Sequence, residues 1–107
     1  MVNKHYLAGS NFERRVKKYL EDKDFYVART AGSHGSFDLI AIPRNNVSEI
    51  LLIQCKIRSP LKKEYDKLKE AKFGFTDRQR FKFIMSYKIK GKLKFELLEK
   101  EYSEIEL

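Results

Sequence analysis

A chain of 107 residues, 42% of them hydrophobic, has the length and apolar content of a single folded domain over residues 1–107; this excludes a disordered or fibrous polypeptide. Its 23 Lys and Arg against 15 Asp and Glu leave a net charge of +8. That sign favours a polyanion, nucleic acid or an acidic membrane surface, although a charge-rich protein adapted to heat carries a similar mix. One cysteine, Cys55, excludes an internal disulfide and a Cys-rich zinc site. No apolar run approaches the about 20 residues of a membrane span, and the start lacks a signal-peptide core. A cytoplasmic protein with no membrane partner is expected.

Met1 to Gly9 reads as a loosely docked arm. Ser10 and Glu13 then have the spacing of a capping box, with serine at the N-cap and glutamate three residues on. Phe12, Val16, Tyr19 and Leu20 follow at helical spacing, so a helix is expected to Asp22 or Lys23. Arg14, Arg15, Lys17 and Lys18 make its outer face basic. Phe25–Thr30 reads as a strand, and Ala31–Ser36 as a Gly- and Ser-rich turn. Phe37–Ile42 is a second strand ended by Pro43, and Arg44–Val47 is a hairpin-like link. Glu49–Ile57 is a third strand. Its unbroken apolar run Ile50–Ile53 predicts burial on both faces.

Ser59 and Pro60 read as the N-cap and first residue of a charged surface helix running to about Phe73, broken by Gly74. Thr76–Gln79 suits one short helical turn. Phe81–Tyr87 and Lys92–Leu98 are strands about a Lys90-Gly91 turn, and the tail to Leu107 is expected to form a short helix or to fray. Helix, three strands, helix, two strands predicts an α/β domain: a small mixed sheet flanked by helices.

The chemistry gathers between Arg29 and Lys56. An aspartate opening an apolar strand is out of place unless something pairs with it. Asp38 is therefore a turn residue, a partner for Arg29, or an oxygen ligand for a hard metal such as Mg²⁺. Gln54 and Lys56 are two apart and project from one face of the third strand. If the second and third strands pair, that face lies beside Asp38. There a lysine would orient a water or neutralise a phosphate oxygen; the plainer alternative is a surface lysine just past a buried strand. Cys55 reads as a small buried hydrophobe, though its place between them also enters it among the metal-ligand candidates. Glu13 is explained by the capping box, yet a first-turn acid near a sheet edge still reaches a metal. His34, in the glycine turn, is a general base, or more often for a loop histidine a phosphate contact or a bystander. The turn lacks the lysine and spacing of a P-loop.

Phe12-Glu13-Arg14, Val27-Ala28-Arg29, Ala31-Gly32-Ser33, Asp38-Leu39-Ile40-Ala41 and Gln54-Cys55-Lys56 together resemble the archaeal-type Holliday junction resolvases of the PD-(D/E)xK nuclease superfamily. The resemblance covers residues 9 to 57, in order. It implies a restriction-endonuclease-like core and a homodimer cutting opposed strands of a four-way DNA junction with Mg²⁺, or Mn²⁺ in its place. Asp38 would be the main metal carboxylate, Lys56 the catalytic lysine and Glu13 a further acid. Ser33 would lie in a loop supporting cleavage, and Arg14 and Arg29 would contact the DNA backbone. This chain departs from the family at Gln54, where the family has glutamate: an amide oxygen still ligates Mg²⁺ but brings no charge.

Two basic groups complete the expected DNA surface. Arg14, Lys17, Lys18 and Arg29 flank the site. Lys62 and Lys63 head the second helix, whose interleaved acids equally suit a solvated face. The expected function is a metal-dependent junction endonuclease. A non-catalytic DNA-binding protein on the same fold and a same-fold nuclease with another DNA target are the alternatives.

Overall fold

The computed structural model describes residues 4–30, 36–45, 49–75 and 80–107. Among them the order is α1 (Lys4–Asp22), β1 (Phe25–Arg29), β2 (Leu39–Pro43), β3 (Ile50–Cys55), α2 (Lys62–Phe73), β4 (Phe81–Ile89), β5 (Lys92–Leu98) and β6 (Tyr102–Ile105). The expected turn at Thr76–Gln79 and part of the Arg44–Val47 link lie outside the described residues.

The strands form one sheet in the order β1-β2-β3-β4-β5-β6. β1–β2 and β2–β3 are antiparallel, as are β4–β5 and β5–β6. β3–β4 is parallel, and α2 makes the crossover such a pair requires. The result is the expected mixed sheet flanked by helices.

Each face of the sheet carries one helix. Phe12, Val16 and Leu20 of α1 recur every fourth residue, so they form one stripe. They pack on Val27, Leu39, Ala41, Leu51, Ile53, Cys55, Ile84 and Phe95. Each Val, Leu, Ile or Phe among them, fully buried, stabilises by about 1.5–3 kcal/mol. On the other face Leu68 of α2 packs with Leu52, Phe83, Met85 and Leu98. β3 feeds both cores, which is why its apolar run shows no alternation.

Three expectations fail. α1 begins at Lys4, so Ser10 is a helix-interior residue, 7% exposed, and no capping box forms. Its hydroxyl instead accepts a hydrogen bond from Arg29 Nη2 at 2.9 Å. α2 begins at Lys62 with Leu61 at its N-cap, and Glu64 accepts the Leu61 N–H at 2.8 Å. Ser59 and Pro60 thus precede the helix. The tail is a strand: β6 pairs with β5 and places Ile105 against the α1-side core. Tyr102 lies on the opposite face, its hydroxyl donating to the Tyr65 carbonyl at 2.7 Å.

Candidate active site

The β2–β3 ladder runs from Ala41–Leu51 to Leu39–Ile53 and ends where the Asp38 N–H donates to the Ile53 carbonyl at 2.8 Å. The next residues of β3 are Gln54 and Cys55. There the side chain replaces the backbone: Asp38 Oδ2 accepts the Cys55 N–H at 2.9 Å. Thr30, just past β1, holds the same corner. Its N–H donates to the Asp38 carbonyl at 3.0 Å and its hydroxyl to the Phe37 carbonyl at 2.7 Å. Asp38 is therefore fixed by three backbone groups on two neighbouring segments, the end of β1 and β3.

Glu13 approaches from α1. Arg29 Nη2 contacts Glu13 Oε1 at 3.2 Å, with both side chains half-buried. Arg29 is thus committed to Ser10 and Glu13, rather than to a direct bond with Asp38. Burial raises the Glu13 carboxyl above its usual range and the Asp38 charge adds to this, against the pull of Arg29 and Arg14. Burial also raises Asp38, and the Cys55 N–H, Lys56 and Arg29 only partly offset it. The two acids are short of positive charge.

Lys56 follows β3. Its N–H donates to the Ser86 carbonyl at 2.8 Å, and its Nζ pairs with Glu64 Oε2 on α2 at 3.1 Å. Its charge still reaches Asp38. Gln54 lies on the opposite side of β3 from Cys55, and its buried Oε1 has no hydrogen-bond partner among the described residues. Cys55 serves through its backbone. Its thiol sits in the apolar α1-side core, where burial and then the charges of Asp38 and Glu13 push its pKa well up. A neutral, buried thiol is a poor ligand for a hard cation, so the candidacy of Cys55 as a side-chain ligand is not supported.

The basic candidates separate. Arg14, Lys18, Lys62 and Lys63 are exposed, and Lys17 pairs with Glu21 at 3.3 Å. Lys62 and Lys63 open the helix whose next residue, Glu64, holds Lys56. Ser33 and His34 lie outside the described residues. No motif points to Glu64; its position at the third residue of a helix is the signal that was there to read.

Among the described residues, no three His, Cys, Asp or Glu side chains form a metal cage. The candidate donors are of one kind, oxygen: Asp38, Glu13 electrostatically coupled to it, and the Gln54 amide on β3 with its orphaned Oε1. That set fits a hard divalent cation in ligand type, with two acids supplying the charge.

A mixed sheet with a helix on each face, an acid where a hairpin opens and an amide-x-lysine on the adjoining strand defines a nuclease-like α/β fold. Over residues 4–104 the chain matches the profile of the archaeal Holliday junction resolvase (Hjc) family, and it belongs to that family. It is similar to the crossover junction endodeoxyribonuclease Hjc of Methanocaldococcus jannaschii, with 46% identity over 57 residues. That match covers 53% of this chain and 40% of the relative's length. Hjc of Archaeoglobus fulgidus, described as a Holliday junction resolvase from an archaeal hyperthermophile, shares the fold. The TM-score is 0.54 at 19% identity, covering 86% of this chain and 85% of that one.

Proposed function

We propose that this chain is a divalent-metal-dependent DNA endonuclease that cuts four-way junctions as a homodimer. The observation that carries it is Asp38, locked on the Cys55 N–H where β2 and β3 part, with the Lys56 charge in reach and Glu13 electrostatically coupled to it. Family membership and the name of the Methanocaldococcus relative support the substrate class. A homodimer presents two sites to a two-fold symmetric substrate.

In this reading Asp38 and the Gln54 amide hold a Mg²⁺ or Mn²⁺ ion, with Glu13 as an outer acid. Such an ion, when bound, would supply an acidified water and charge stabilisation at phosphorus. Arg29 keeps Glu13 turned toward the site. The Lys56 ammonium neutralises a non-bridging phosphate oxygen and orients the attacking water. Exposed Arg14, Lys18, Lys62 and Lys63 grip the phosphate backbone on either side of the site. Ser33 would support cleavage and His34 would bind phosphate.

Cleavage of a synthetic four-way junction, with and without Mg²⁺, tests this. Asp38→Ala and Lys56→Ala should each lose about 10³-fold in rate or more. Wild-type rates in both would remove the mechanism. The uncharged Gln54 favours a second reading, a junction-binding protein without catalysis. That reading expects tight binding, no cutting in Mg²⁺ or Mn²⁺, and cutting restored by Gln54→Glu.

A further inference from the structure

Lys56 does not stand alone at the end of β3. Its ammonium contacts Glu64 Oε2 on the first turn of α2, 3.1 Å away. The other Glu64 oxygen accepts the Leu61 N–H at 2.8 Å and Arg58 Nη1 at 2.9 Å. Arg58 Nη2 reaches Oε2 at 3.4 Å. The Glu64 side chain is 13% exposed, a carboxylate enclosed by its donors. Burial works to raise its pKa, but Arg58, the Leu61 N–H and Lys56 outweigh it and hold the group at about 2. At neutral pH it is a fixed negative charge. A lysine stem is long and rotamer-rich, so its ammonium keeps one position only where something holds it. Gln54, two residues earlier on the same side of the strand, has no charge with which to do so.

We infer that Glu64 is a positioning residue: from α2 it holds the Lys56 ammonium at the end of β3, within range of Asp38. This role rests on the nuclease reading above. Glu64 acts through Lys56, and Arg58 braces it from the solvent side. The same carboxylate also starts α2, so a test must separate the two duties. Glu64→Gln does this. An amide oxygen at the third helical position still accepts the cap N–H, but it offers Lys56 no charge.

Two readouts decide it. In metal-free, DNA-free protein, the Lys56 side-chain ammonium signal in NMR, assigned by its absence in Lys56→Arg, should exchange slowly with water. It should join the fast-exchanging lysines in Glu64→Gln. In single-turnover junction cleavage, Glu64→Gln should slow the cut about 10- to 100-fold while the junction Kd stays within about twofold. A Glu64→Gln chain that cuts at the wild-type rate, with Lys56→Ala inactive, overturns the positioning role and leaves the nuclease reading standing. Loss of affinity in step with rate overturns it too, because Glu64 would then serve the DNA surface. A wild-type Lys56 ammonium as fast-exchanging as the exposed lysines overturns it without any variant. Wild-type protein that cuts no DNA removes the nuclease reading, and the ammonium signal alone then judges whether Glu64 holds Lys56.

Discussion

Asp38 and Glu64 are two half-buried acids on either side of one lysine, and they end with opposite proton affinities. Burial works to raise both. Glu64 overcomes it with a guanidinium, a backbone N–H and the ammonium in direct contact. Asp38 has one N–H bond and feels its cations from further off, with a second acid, Glu13, nearby. The number of donors in contact decides the sign. One acid is saturated and suits a structural duty; the other is left with charge for a cation to neutralise.

Four experiments break or sharpen that contrast. The largest effect is expected from Asp38→Ala, which should cut junction cleavage by about 10³-fold or more, measured under single turnover, because in the proposed function it removes the acid that would hold the metal. Glu64→Ala should cost about 1 kcal/mol in urea unfolding, losing a helix cap and exposed ion pairs, and Glu64→Gln about half of that. Gln54→Glu adds a third acid to the deficient corner. Mg²⁺ affinity should rise about tenfold by calorimetry, since charge count sets affinity for hard cations.

The smallest effect is in pH dependence. The stabilisation from Glu64 is complete above the ordinary value of 4.5 and lost as pH falls toward about 2. Asp38 and Glu13, raised in the fold, favour the proton. Their contribution is present at pH below the ordinary carboxylate range and lost as pH rises through their raised values. Acidifying the metal-free protein from neutrality should therefore first stabilise it and then destabilise it. Asp38→Asn should flatten the first limb and Glu64→Gln the second, both measured by thermal unfolding across pH.

Most of the sheet was legible because its strands carry unbroken apolar runs between strong turn signals. β5 falls at Lys92–Leu98, as its alternation predicts. The failures have local causes. Ser10 with Glu13 satisfies a capping pattern, and only Arg29, nineteen residues on, shows that the serine is taken from inside the helix. β6 places Tyr102 on one face and Ile105 on the other among exposed acids, so no single-face alternation marks it. Asp38, Gln54 and Lys56 stood out by residue type. Glu64 did not, because an acid in a charged helix looks like solvent-facing surface until its partners are known.

The β3–β4 pairing has a consequence for how the protein comes to life. β1–β2–β3 and β4–β5–β6 are meanders of chain neighbours, which zip quickly, whereas a parallel seam waits for long-range closure. The Asp38–Cys55 contact belongs to the first meander, the Ser86 carbonyl that fixes the Lys56 backbone belongs to the second, and Glu64 rides on the connection between them. A nascent chain with both meanders formed and the seam still open carries its acid and its lysine on the first meander, but the lysine lacks its anchor at Ser86. The lysine's backbone is thereby fixed only as the two meanders join.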